Sequence, residues 1–246
     1  MAGETDYIFG IRAVIEAVRS GRQLDRLLIR HGLQGSLYHE LITEIRNRNI
    51  PYQIVPQERI DLVTKKNHQG VLAWLSLIEY QSVSDILPLI YEKGEDPLVI
   101  VLDGISDVRN FGAIIRTAEC MGVHAAIVPE RGSARITADA VKTSAGALNF
   151  FPVCREKSIL KSIGFLKDSG LRIFAATEKR GTDLSRACLT GPSALILGSE
   201  ERGISRELLS VSDMEIRIPM EGRIGSLNVS VAAGIFLHEI KRQRSI

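Results

Sequence analysis

The residues best able to do chemistry fall in three polar, glycine-bearing segments, each following an apolar run in the C-terminal part of the 246-residue chain. In the first, residues 102–118, Asn110 sits near a helix start and Arg116 lies inside that helix. Six positions fall short of two turns, so the two lie about 120° from alignment and need not share a face. Ile114, Ile115 and Ala118 flank Arg116, which predicts a partly buried guanidinium with an anionic partner. A phosphate suits its planar fork. Taken singly, an Asn cap and a solvated arginine are the simpler assignments. In the second segment, residues 194–204, a buried strand runs into Gly198 and then Glu200 and Glu201. Gly198 offers close approach of a ligand to the backbone, although acidic residues at a helix N-terminus explain the carboxylates equally well. Spacing does not rank Glu200 against Glu201. The third segment, residues 216–235, reads as a strand, a glycine-bearing loop and a helix that Ser226 or Asn228 can cap. The small run Ala232, Ala233, Gly234 predicts something packed closely on that helix, either another helix or a flat ligand.

These segments must be positioned by elements of mixed periodicity. Ile11, Val14, Ile15 and Val18 recur at helical spacing before the apolar run 27–29, and Leu37, Leu41, Ile42 and Ile45 precede a strand over 52–55. A short helix over 57–63 and a strand over 71–77 complete a small α/β domain, placed at 1–78. An amphipathic stretch over 83–91 and the polar run 92–97 then predict a linker at 79–97. From Leu98 to the end, strands at 98–102, 125–128, 171–176, 194–197 and 215–218 alternate with helices at 111–121, 136–143, 158–168, 205–209 and 227–242. That alternation predicts a mainly parallel sheet covered on both faces, with a ligand at the carboxyl ends of its strands.

Composition narrows the class. Hydrophobic residues make up 45% and charged residues 24%, the balance of a soluble protein with a sizeable core. Net charge is only +2, so any nucleic-acid site must be a local patch. Cys120, Cys154 and Cys188 form no CxxC pair and leave an odd thiol, which predicts neither a disulfide framework nor a zinc site. His31, His39, His124 and His238 lack ligand spacing, so no metal is expected. The opening residues lack a basic region followed by an apolar core, and the run 98–102 falls far short of a membrane span, so a cytoplasmic location is expected. Neither a GxGxxG fingerprint nor a GxxxxGK phosphate loop occurs, which removes the main support for a nucleotide-dependent oxidoreductase or an NTPase.

Taken together, NFGAIIRTA, LILGSEERGIS and IPMEGRIGSLNVSVAAGIFLHE closely resemble the three motifs of the SpoU, or TrmH-like, family of RNA ribose 2′-O-methyltransferases, in the family's order and spacing. The opening stretch 8–17 and the stretch 67–71 resemble the small L30e-like substrate-binding domain of members that methylate a guanosine of 23S ribosomal RNA. The resemblance implies a trefoil-knotted (SPOUT) α/β methyltransferase domain over 98–246, acting as a homodimer on RNA. It implies S-adenosyl-L-methionine as cofactor, held around Leu197, Gly198, Ile218, Met220, Ser226 and Leu227. It also implies a catalytic set of Asn110, Arg116, Glu200, Ser226 and Asn228. In that set Asn110 and Asn228 orient the arginine or the ribose, Glu200 holds the guanidinium or a loop amide, and Ser226 shapes the site.

The family assigns proton removal to the arginine matching Arg116, yet a guanidinium with a pKa above about 12 is a poor base. Gripping the substrate phosphate is the better role for it, with proton loss helped either by that phosphate or by an arginine briefly made neutral. For substrate binding the sequence offers Arg12, Arg19, Arg22 and Arg26 in the first domain, and Lys65 and Lys66 beside His68. A transfer RNA substrate, and a non-catalytic RNA-binding protein of the same fold, are the alternatives.

Overall fold

The computed structural model describes residues 7–245 apart from residues 49 and 179; the opening residues, where a leader would have been sought, lie outside that range. The chain divides into two units, Met1–Glu79 and Tyr80–Ile246.

The first unit runs β1 (Tyr7–Phe9), α1 (Ile11–Arg19), β2 (Leu24–Arg30), α2 (Ser36–Asn47), β3 (Gln53–Val55), α3 (Gln57–Asp61) and β4 (Val71–Leu75). Its sheet has the order β1-β4-β2-β3, in which β2 and β3 are parallel and the other pairs antiparallel. Alternation along β2 and β4 sends Leu27, Ile29, Val71 and Ala73 to one face, where α1 and α2 cover them with Val14, Val18, Leu41 and Ile45. Leu28 and Leu72 point to the other face, under Ile60 of α3 and the half-buried rings of Tyr7, Phe9 and Trp74. Helix α1 starts at Gly10, whose φ of +92° only glycine adopts freely. The first amide of α1, which has no partner within the helix, is satisfied from a distance, since the Ile11 N–H donates to Gln69 Oε1 at 3.2 Å.

The second unit opens with α4 (Val83–Glu92) and continues β5 (Leu98–Asp103), α5 (Val108–Cys120), β6 (Ala125–Pro129), α6 (Ala138–Thr143), β7 (Val153–Glu156), α7 (Ile159–Asp168), β8 (Arg172–Thr177), β9 (Thr182–Asp183), β10 (Ser193–Gly198), α8 (Arg206–Val211), β11 (Met214–Arg217) and α9 (Val229–Arg244). Its seven strands pair in parallel in the order β7-β6-β5-β10-β8-β11-β9. Strands buried on both faces read as unbroken apolar runs, and β5 and β10 do so. Val99, Val101, Ala194 and Ile196 pack under α4, α7 and α8, while Ile100 and Leu195, which alternate to the opposite face, are fully buried as well. Helices α5, α6 and α9 pack together, and α9 also lies on β10. Among the described residues no helix is long and apolar enough to cross a membrane.

Residues 80–97 belong to the second unit rather than forming a linker. Val83, Leu87 and Ile90 of α4 are buried in its core, and the Gln81 N–H donates to the Val153 carbonyl at 3.0 Å. The polar run that follows is also engaged: His124 Nδ1 accepts from the Leu98 N–H at 3.0 Å, and His124 Nε2 donates to Glu95 Oε2 at 2.8 Å.

At the far end of α9, Arg244 is half-buried. Its guanidinium donates to the carbonyls of Asp96, Pro97 and Gly191 and to Ser193 Oγ, just before β5 and β10 begin. Burial lowers its pKa.

Two glycines separate packing from propensity. A Cβ on Gly112 of α5 would lie 2.8 Å from both the Ala140 carbonyl oxygen and Thr143 Cβ of α6, so α5 and α6 meet only because that atom is missing. Gly164, inside α7, has open space around it. Gly112→Ala is expected to lower stability by about 1–3 kcal/mol through overpacking. Gly164→Ala is expected to raise it by about 0.5–1 kcal/mol. Thermal or urea unfolding of the two variants measures both signs.

The thiols give a second check. Cys154 is buried in the core, and burial, helped by Glu156 and Asp85, pushes its pKa up to about 12. Cys188 is exposed, and the Thr190 hydroxyl and the Arg172 guanidinium lower its pKa. A thiolate-selective reagent near pH 8 is expected to label Cys188 and Cys120 in the folded chain, Cys188 faster, and Cys154 only after unfolding.

Candidate functional site

The carboxyl ends of β8 and β10, with the chain leaving β11, enclose a cavity of about 460 Å³. That volume lies in the range of small-molecule sites, and parallel sheets place ligands at this end of their strands. Leu197, Gly198, Ile218, Met220, Ser226 and Leu227, the residues the sequence suggested around a cofactor, all line it. Its apolar walls include Leu209, Ala232 and Phe236, and its charged groups include Glu178, Arg180 and Glu200.

One wall is a tight return of the chain after β10. The Gly203 N–H donates to the Ser199 carbonyl at 2.8 Å and the Arg202 N–H to Ser199 Oγ at 3.3 Å, with Gly203 at a φ of +65°. The return passes so close to Gly198 that a Cβ there would overlap the Gly203–Ile204 backbone. Glycine is therefore required at 198 by the protein's own loop. Beyond the loop, the Ser205 N–H donates to Asp103 Oδ2 at 2.8 Å, which ties the start of α8 to the end of β5.

Glu200 sits on this return and meets the other two motif segments through Asn228. The Asn228 side chain caps α9, its Oδ1 accepting from the Ser230 N–H at 3.0 Å. Its Nδ2 donates to Glu200 Oε1 at 2.7 Å and to Asn110 Oδ1 at 3.0 Å. A carboxylate only accepts and a backbone N–H only donates, so these partners fix which end of the Asn228 amide points where. Asn110 is free to join because it is not the cap of α5; Asp107 is, its Oδ1 accepting from the Asn110 N–H at 2.8 Å. The structure thus separates the two carboxylates that spacing left equal. Glu200 is bound into the junction, whereas Glu201 only lines the cavity.

Arg116 departs from expectation. It is exposed, it does not line the cavity, and it has no ion-pair partner among the described residues. The apolar neighbours that suggested burial, Ile114, Ile115 and Ala118, all turn into the core. At about 100° per residue, this carries Arg116 to the outer face of the helix. The small run on α9 resolves into two contacts: Ala232 lines the cavity, and Gly234 faces Thr117 of α5.

Glu178 and Arg180 were not singled out by sequence. Both follow β8 directly, and the Thr177 hydroxyl donates to the Arg180 carbonyl, which draws this segment back over the strand end. Their position after a buried strand of the parallel sheet was the available signal.

In the first unit, Arg19 is engaged with Glu44 at 2.7 Å and Glu40 at 2.8 Å, and Arg26 bonds Gln53 and lies over the Trp74 ring. Arg12, Arg22, Lys65 and Lys66 are exposed. His68 is buried: Nδ1 accepts from the Gly70 N–H at 3.0 Å, and Nε2 therefore donates to Asp61 at 2.8 Å.

Comparison with known proteins agrees with this geometry. The profile of the SpoU rRNA Methylase family matches residues 97–238, and that of the RNA 2′-O ribose methyltransferase substrate-binding domain matches residues 7–81. A Bacillus subtilis (strain 168) protein assigned to the TrmH family of tRNA/rRNA methyltransferases is 32% identical over 245 residues, covering 100% of this chain and 98% of its own. The crystal structure of the SpoU methyltransferase AviRb from Streptomyces viridochromogenes, solved with AdoMet, superposes with a TM-score of 0.60 at 25% identity, over 96% of this chain and 89% of that one. A TrmH/SpoU tRNA-modifying enzyme from A. aeolicus superposes with a TM-score of 0.57 at 30% identity, over 61% of this chain and 77% of that one. With both units matched, and with the three motif segments joined through Asn228 beside the cavity that the second and third of them line, this chain belongs to the SpoU rRNA methylase family of RNA methyltransferases.

Proposed function

We propose that the chain transfers a methyl group from S-adenosylmethionine to a ribose 2′-hydroxyl of structured RNA, with a guanosine of 23S ribosomal RNA as substrate. The observation that carries this reading is the junction of Asn110, Glu200 and Asn228 at the edge of the cavity after β10. The residues present suit the cofactor. Leu197, Leu209, Ile218 and Phe236 offer apolar walls to an adenosyl group, and Glu178 and Arg180 offer charges to an amino-acid tail. The bound cofactor supplies an electrophilic methyl group, so the protein's work is alignment and charge.

Glu200 already accepts one Asn228 hydrogen bond, and Asn110 keeps its own amide donors without a partner among the described residues. Both can orient a ribose hydroxyl at the cavity edge, and Ser226 adds a hydroxyl to the same wall. Arg116 faces solvent as a permanent cation and grips a phosphate of the incoming RNA. The guanidinium's positive charge favours loss of the ribose proton, which passes to an oxygen of the gripped phosphate as the methyl group moves to the 2′-oxygen, so the guanidinium need not act as base.

We also infer a homodimer and a trefoil knot. Val231, 51% exposed, and Ile235, 38% exposed, leave an apolar strip on α9, the helix packed on the one carrying Arg116. The knot is supported by the strand order, in which the chain goes from the sheet edge at β9 to its centre at β10 and then inserts β11 between β8 and β9. The reaction belongs in the cytoplasm, where ribosomal RNA is modified. Transfer RNA is the second reading, favoured by the likeness to the tRNA-modifying enzyme from A. aeolicus.

Incubation with labelled methyl donor and bulk RNA, followed by mass-spectrometric mapping of 2′-O-methyl sites, tests the activity and names the nucleoside. Arg116→Ala is expected to cut methyl transfer by on the order of a hundredfold or more, with S-adenosylhomocysteine affinity in a calorimetric titration nearly unchanged. Normal turnover of that variant would refute the role given to Arg116. Gly198→Ala has the opposite signature, because it displaces the loop that walls the cavity; cofactor affinity is expected to fall first, and transfer with it.

A further inference from the structure

The first unit carries a surface that its fold does not need. On the sheet face opposite α1 and α2, the edge strand β1 presents Tyr7 and Phe9 two residues apart, paired with Trp74 and Leu72 of β4. The Tyr7 ring centroid lies 6.3 Å from that of Phe9 and 6.2 Å from that of Trp74. The aliphatic residues beneath are buried, with Leu72 at 0% and Leu28 at 3% exposure, while the rings above them stay half-exposed. Leucines would roof these residues as well, so the hydrophobic effect alone does not call for three aromatic rings here.

Beside the rings stands a loop, residues 64–70, whose two buried polar residues are both spent on holding its shape. The Thr64 hydroxyl accepts from the Lys66 N–H at 3.3 Å. The His68 imidazole joins the Gly70 N–H to Asp61, and Gln69, held at a φ of +54°, spans to the start of α1. What the loop displays outward is Lys65, Lys66 and Asn67, all exposed. The Lys66 ammonium lies 5.9 Å from the Phe9 ring centroid, and neither lysine has an ion-pair partner among the described residues. By contrast, Arg19 in the same unit is matched by two carboxylates.

We infer that this edge, Tyr7 and Phe9 with the fixed loop of Lys65, Lys66 and Asn67, is a stacking platform for unpaired nucleotides of the RNA substrate. π-faces accept any base, and ammonium groups held beside them pair with the phosphates that link those bases. An acidic peptide would use the lysines but not the ring faces. A regular duplex keeps its bases stacked on one another and offers the rings nothing. Because the loop is held by buried hydrogen bonds, little side-chain and backbone freedom is lost on binding. The inference rests on the proposal above that the chain acts on RNA, and adds that its first unit selects single-stranded segments.

The test uses the full-length chain and fluorescence anisotropy with a short mixed-sequence single-stranded RNA and with the same sequence annealed to its complement. Cofactor affinity and methyl transfer to bulk RNA are followed in parallel. Phe9→Leu, which keeps the apolar roof, is expected to weaken single-strand binding by about tenfold. Lys65→Gln with Lys66→Gln should reduce the slope of log affinity against log salt by about 0.7 for each phosphate no longer neutralised. Neither change should alter S-adenosylhomocysteine affinity or the circular dichroism spectrum. If the wild-type chain methylates RNA but Phe9→Leu binds single strands normally, or if duplex binds as tightly as single strand, the platform is wrong while the enzymatic reading stands. If the wild-type chain neither binds nor methylates RNA, both fall. A weakening confined to the lysine variant reduces the surface to a charged patch and also overturns the stacking role.

Discussion

The side chain of Asn228 bonds three parts of the chain at once: the first turn of its own helix, the return after β10 and the first turn of α5. Residues 110, 200 and 228 lie far apart in sequence, and each sits at the start of a helix or in the turn after a strand. Such places are the least restrained in an α/β protein unless a side chain restrains them. The bond to Glu200 involves a carboxylate and is therefore charge-assisted. It is also directional, so it sets distance and angle together. Remove this amide and two helix starts and the return after β10 lose their common geometry.

Below that junction, the parallel sheet supplies the concavity. Strand β10 lies between β5 and β8, and its apolar run from Ser193 to Leu197 is buried, so its end is as fixed as any point in the fold. The chain then reverses over Gly198, where no other residue leaves room. This reversal lets one short segment give the cavity a wall, carry Glu200 to Asn228, and bring Ser205 to Asp103 on the neighbouring strand. The glycine matters for packing within the protein, and the site inherits its shape from that packing.

Much of this was legible in the sequence, for a physical reason. Long buried strands such as β5 and β10 and amphipathic helices such as α1 and α2 declare themselves by apolar periodicity. The three motif segments declare themselves by polar and glycine residues placed where such strands end. The short strands β1, β7 and β9 did not show. Thr182 and Asp183 have no strand pattern of their own, and they pair only because β11 lies beside them. Residues 79–97 read as a linker because their polar end was conspicuous, while Val83, Leu87 and Ile90 are too few to announce a core helix by themselves. Arg116 was misplaced because sequence neighbours on a helix point in different directions. Apolar flanks say that the helix is buried on one side, and nothing about which side the arginine takes. The pairing of Asn228 with Asn110 and Glu200 lies beyond any local pattern, since it depends on where three remote loops arrive.

The clamp at Arg244 bears on the order in which such a chain can be assembled. The guanidinium that gathers the carbonyls before β5 and β10 belongs to the last turn of α9, which follows every strand of the second unit in sequence. Synthesis runs from the amino end, so both central strands are made well before the residue that fastens their starts. Until α9 docks, the carbonyls of residues 96 and 191 lack this donor, whereas that of Pro97 also accepts from the Ser193 N–H at 2.9 Å. The clamp therefore joins residues 148 positions apart, a pairing whose loop-closure cost local contacts do not carry.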